Sequence, residues 1–269
     1  MSVAVLVALI SAGVAVCSAA VTTYTTVRSI RLQHTLTLQR ARLDRQEASE
    51  DLVRRYREPL LLAAFDLQAR IHNIVESGFV ARHMGSADLE EHHYARTSTL
   101  YRIGDYFGWI EVLRSGMQFL DLGEEGRTHE LVERLDLVSH TFSNTQWFPS
   151  SVFRLFRDEQ RALGEVMLEP IEGELRRYQC IGYATFVERL EENSGFARWF
   201  ERLSTEIDRL VDPAPGQLDR MIELQHALVN VINFLDPEGL RFPKAHIKRL
   251  DPVSTPSRLT GPLSGPQQR

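Results

Sequence analysis

PLLLAAFDLQARIHNIV, Pro59 to Val75, is the stretch whose reading decides the fold. Leu60, Leu61, Ala64, Leu67, Ile71, Ile74 and Val75 recur at steps of three and four, which places one continuous apolar face on a helix. Pro59 suits a first helical turn, where its missing N–H costs nothing, and Gly78 suits the end. The same period recurs downstream. Asp88, with Glu91 three residues on, marks a capping-box start for a helix to about Leu122. Further helical patterns cover His129 to Phe142, Ser151 to Leu168, Tyr183 to Glu192, Phe196 to Val211 and Gln217 to Leu235. Asn144, Pro149, Pro170, Gly173, Gly195, Pro213 and Pro215 punctuate them, and strand-like alternation is nearly absent. The fold class expected is all-α: a multi-helix bundle over residues 59–235.

Upstream lies a different kind of segment. Val3 to Val21 carries no charge over 19 residues, and Thr22 to Val27 adds none. As a helix the run spans roughly 28 Å, close to the hydrocarbon thickness of a bilayer. A single transmembrane anchor over residues 1–27 is expected. A cleaved signal peptide is the rival, given Ser18-Ala19-Ala20, but no Lys or Arg precedes the run. Arg28, Arg31, Arg40, Arg42 and Arg45 all follow it, and the first acidic residue is Asp44. The positive-inside rule therefore puts the N-terminus outside and the rest in the cytoplasm of a single-pass cell-membrane protein. These five arginines form a juxtamembrane stalk, residues 28–58, placed to attract anionic lipid headgroups. A heptad frame through the stalk is apolar at too few core positions for a coiled coil.

At the other end, Pro237, Pro243, Pro252, Pro256, Pro262 and Pro266 crowd residues 236–269, which read as a largely disordered tail.

The composition removes several classes of function. With 31 basic against 36 acidic residues the net charge is −5, so no nucleic-acid footprint is present. Two cysteines, Cys17 and Cys180, cannot build a disulfide scaffold. Phosphate-cradling glycine loops and the Gly-x-Ser-x-Gly elbow are missing. No cofactor is expected.

Two Glu-x-x-His pairs, Glu90/His93 and Glu223/His226, are the pattern of a carboxylate-bridged di-metal bundle. Glutamate is abundant enough for such pairs to arise by chance. Glu223 and His226 also point to one side of the apolar face formed by Leu218, Met221, Ile222, Leu228, Val229 and Ile232. His129-Glu-Leu-Val-Glu133 ends in Glu where a zinc-protease helix needs its second His.

More informative is Gly104-Asp-Tyr-Phe-Gly108, inside a helix rich in Tyr101, Tyr106, Phe107 and Trp109. Each Gly costs about 1 kcal/mol of helix propensity, so Gly104 and Gly108 are expected to be helix-packing positions approached closely by another backbone. The functional expectation is a membrane-tethered interaction or signalling accessory module with a protein partner. A helical-bundle enzyme with a carboxylate and histidine metal site is the alternative.

Overall fold

The computed structural model describes residues 56–117, 127–173 and 177–251, together with Gln33, Thr37 and Gln39. The stretch 1–27 and Arg28, Arg31, Arg40, Arg42 and Arg45 lie outside the described residues. No helix among the described residues is long and apolar enough to cross a membrane.

The chain is mostly helical, as its periodicity predicts. Helix α1 covers residues 56–77. It buries Leu60, Leu61, Ala64, Leu67, Ile71 and Ile74 in the core, and Val75 packs against that core. Gly78, at φ +58°, supplies the left-handed residue that turns the chain into α2, Phe79–Met84. Helix α3, Leu89–Met117, begins where Asp88 Oδ1 accepts the N–H groups of Glu90 and Glu91. The expected boundary near Leu122 lies outside the described residues. Helix α3 is the axis of the molecule: α2, α5, α6, α8 and the second strand all pack on it.

Helix α4, Arg127–Ser143, lies against the last helix, α9, Asp219–Leu235. Between them in sequence come α5, Arg157–Val166, a short antiparallel hairpin of β1, Leu168–Pro170, and β2, Tyr178–Cys180, then α6, Tyr183–Glu192. A single turn, α7, Ser194–Ala197, leads to α8, Glu201–Asp208.

The expected helix from Phe196 to Val211 is thus broken. Phe186, Phe196 and Phe200 explain the break: their rings meet edge-on or tilted at 5.1 to 5.6 Å, and three turn residues bring Phe200 into that cluster.

A second departure is residues 151–156, expected to be helical and found irregular before α5. Phe153 has φ +60°, a left-handed backbone that costs a non-glycine residue about 1–3 kcal/mol. Two contacts hold it there. Its side chain is buried, and its N–H donates to Glu206 Oε2 at 2.5 Å.

The packed unit also continues beyond Leu235. Asp236 accepts the N–H groups of Leu240, Arg241 and Phe242, which folds the chain back on itself. Phe242 then stacks on Phe65 of α1 with ring centroids 3.8 Å apart, and Ile247 and Leu250 are buried. Gln225 Nε2 donates to Lys248 O while its Oε1 accepts from Leu250 N–H. The prolines forbid a long helix here and leave one 3-10 turn, Lys244–His246, so side-chain acceptors and three apolar anchors do most of the ordering of residues 236–251. The remainder of the expected tail lies outside the described residues.

Candidate functional site

One side of α3 carries Tyr94, Thr97, Tyr101, Arg102, Asp105 and Trp109, spread over about 140° of its surface. The opposite side, with Leu100, Ile103, Tyr106 and Phe107, is core. Helix α1 brings Asp66 and Arg70 to the polar face, α6 brings Tyr183, and β2 brings Cys180. The result is a polar and aromatic groove at the meeting of α1, α3 and α6.

Contacts along the groove run from end to end. Thr97 Oγ1 lies 2.9 Å from Tyr183 Oη, and the Tyr183 ring meets Tyr101 edge-on at 5.4 Å. Tyr101 donates to the carbonyl of Ile181 at 3.4 Å. Arg102 pairs with Asp66 at 2.6 Å. Next along α3 sits Asp105, whose carboxyl is pushed up to about 7 by burial first and by Asp66 second, against the opposing pull of the Trp109 N–H and Arg102. A carboxyl in that state can hold or release a proton near neutrality. Cys180 beside it cannot act as a nucleophile at neutral pH. Burial, Asp105 and Glu169 all raise its pKa and keep the thiol protonated.

Arg70 stands out. It is 6% exposed, and its NH1 is buried with no hydrogen-bond partner. No carboxylate among the described residues pairs with it. The charged group acting on it is Arg102, a like charge; Tyr94 accepts a side-chain hydrogen bond from the guanidinium, and Tyr183 lies nearby. Burial first, then Arg102, lower its pKa. The guanidinium lies 3.9 Å over the Phe79 ring, a cation–π contact worth about 2 kcal/mol when desolvated. Burying an ion costs several kcal/mol, so the ring alone does not balance the charge.

The residues singled out by sequence fall elsewhere or only beside this groove. At Gly104 a Cβ would sit 3.0 Å from Met167 Sδ and 3.2 Å from Phe200 Cε1; at Gly108 it would sit 2.5 Å from Cys180 Sγ. Side chains, not a backbone, press on both. The close backbone approach is at Gly164 of α5, where a Cβ would meet the Phe107 carbonyl oxygen at 2.6 Å.

His93 pairs with Glu191 at 3.3 Å, and His226 Nε2 lies 2.8 Å from the Leu250 carbonyl oxygen. His129 pairs with Glu133 on its own helix. Among the described residues no three His, Cys, Asp or Glu side chains are grouped to hold a metal ion. A shallow depression bounded by Thr185, Glu188, Arg189, Glu192, Asn193 and Ser194 is lined by exposed and half-exposed residues, with no buried group converging on it.

Sequence reasoning missed the groove because Asp66 and Arg70 read as the solvent side of α1. A signal was present. Tyr94, Tyr101, Arg102, Asp105 and Trp109 share a helical face that is neither plainly apolar nor plainly charged. Comparison with known protein families, curated proteins and solved structures finds no match to this chain.

Proposed function

We propose that the chain is a single-pass cell-membrane protein whose helical domain lies in the cytoplasm and serves as an interaction or signalling accessory module. The observation that carries this reading is the uncharged run Val3 to Val21, followed by Arg28, Arg31, Arg40, Arg42 and Arg45 with no acidic residue before Asp44. The bilayer is its first partner. Anionic headgroups meet the arginine-rich stalk, each Arg near such a surface adding about 1 kcal/mol of attraction, and a protein partner engages the domain.

The test is topological. Full-length protein should stay in the membrane fraction through high salt and alkaline carbonate, retain Met1 or Ser2 at its N-terminus, and carry a C-terminal tag that external protease reaches only after permeabilisation. A mature N-terminus near Ala20, or a tag accessible on intact cells, refutes the anchor and its orientation.

A further inference from the structure

We propose that Arg70, together with Arg102, Tyr94 and Tyr183, forms a binding site for a small monocarboxylate. The first observation is the orphaned donor: Arg70 NH1 is buried without a partner, although a guanidinium presents five N–H groups in a planar fork. A buried charged donor left without an acceptor calls for one. Water is a poor substitute because it brings no charge.

The second observation is the local charge balance. Arg102 is matched by Asp66 at 2.6 Å, and neither Asp66 nor Asp105 is among the groups acting on Arg70, which leaves that guanidinium without a carboxylate. A single negative charge completes the set, and a carboxylate matches the fork in both charge and geometry. A phosphate dianion would overfill it. Tyr94 Oη accepts from the guanidinium, so its own O–H can donate to a bound oxyanion, while Tyr183, whose Oη pairs with Thr97, lines the site beside it. Tyr94 is 50% exposed, so this partner of the buried guanidinium reaches solvent and marks the route in.

Arg220, the other buried arginine among the described residues, shows that the fold can hold a buried guanidinium on backbone carbonyls, with only its Nε left without a partner. Its NH1 donates to the carbonyls of Thr141 and Phe142, and its NH2 to that of Phe148. Arg70 has no such carbonyls.

The experiment follows the melting of full-length protein in detergent by tryptophan fluorescence at pH 7, in sodium acetate, sodium phosphate or sodium chloride at matched ionic strength. Acetate should raise the midpoint saturably, by about 5 °C over chloride once it is near a hundredfold excess over its dissociation constant, and by more than phosphate does. Arg70→Met should remove the acetate increment. Tyr94→Phe, a change of one half-exposed hydroxyl, should keep the fold and raise the half-saturating acetate concentration about tenfold; it decides the matter if Arg70→Met does not fold. Equal responses to acetate and chloride overturn the site. So does an acetate response left intact by Tyr94→Phe or Arg70→Met, and a larger response to phosphate overturns the monocarboxylate assignment.

Discussion

Two arginines among the described residues are buried, at opposite ends of the domain's chemistry. Arg220, on α9, is 0% exposed and uses its guanidinium to cap α4, donating at 2.6 Å to Thr141 O and 2.8 Å to Phe142 O. Those carbonyls belong to the last turn of a helix, where acceptors are unsatisfied and the dipole is negative. Around Arg220 the loop 144–156 is fastened by Glu206 and by Ser151, whose Oγ donates to Gly216 O at 2.6 Å. Arg70, on α1, meets phenols, a ring and a like charge instead. A buried ion whose two terminal nitrogens both donate to backbone carbonyls is part of the scaffold. One left short of acceptors marks a place where the fold is incomplete without a ligand.

If the two arginines were equivalent, removing either would cost the same. We expect otherwise. Arg220→Met should destabilise the domain by about 3–5 kcal/mol, because it strips three carbonyls of their donors and frees the strained turn at Phe153. Arg70→Met should cost less than about 1 kcal/mol or stabilise, since replacing an uncompensated buried ion with an apolar side chain of similar length removes its desolvation cost. Chemical denaturation of both variants checks this, and a large loss at Arg70 with none at Arg220 would reverse the assignment.

The next effect tests the helix that the two regions share. Gly164→Ala should cost about 1–3 kcal/mol, because the added carbon meets the backbone oxygen of Phe107, which cannot swing aside. Gly104→Leu and Gly108→Leu should cost a similar amount by forcing Met167, Phe200 and Cys180 out of place. Melting temperatures should fall by several degrees in each case. An unchanged melting temperature in Gly108→Leu, with a lost partner, would place the glycines at a docking surface.

How far the sequence discloses this molecule depends on what each element is held by. Helix α1 and helix α9 were legible because a single apolar stripe decides them. The irregular 151–156 segment was not, since Ser151 to Leu168 carries helical periodicity and the competing contact comes from Glu206, more than fifty residues away. Residues 236–251 show the same limit. Their prolines are visible, whereas the contacts of Asp236, Gln225 and Phe65 that order them exist only in three dimensions. The groove was hidden for a related reason: Asp66 and Arg70 differ from surface residues only by what α3 and α6 place over them.

Asp236 gives a test of intermediate size. Asp236→Ala removes the acceptor for three backbone N–H groups and should cost about 1–2 kcal/mol, with hydrogen-exchange protection lost selectively over residues 240–250. Loss of protection throughout the domain would mean that the segment supports the Arg220 region as well.

The smallest expected effect concerns the groove alone and depends on pH. Asp105 has its pKa raised from the ordinary carboxylate range to about 7, chiefly by burial, so between about pH 4 and pH 7 the folded chain holds a proton that the unfolded chain has released. Stability then falls as pH rises through that window and levels off above the folded value. The opposite sign would follow only from a depressed carboxyl. Because Asp105 keeps some contact with solvent, the full shift overstates the energy, and about 1–2 kcal/mol between pH 5 and pH 8 is the expected contribution. Asp105→Asn retains an oxygen to accept the Trp109 N–H while removing the charge, so it should flatten this part of the pH profile and make the variant the more stable protein at pH 8. Arg220→Met, remote from the groove in its contacts, should shift the whole curve downward and leave the Asp105 slope in place. If Asp105→Asn instead lowered stability equally at pH 5 and pH 8, the side chain would be serving as a fixed partner of Trp109 and Arg102 within the groove.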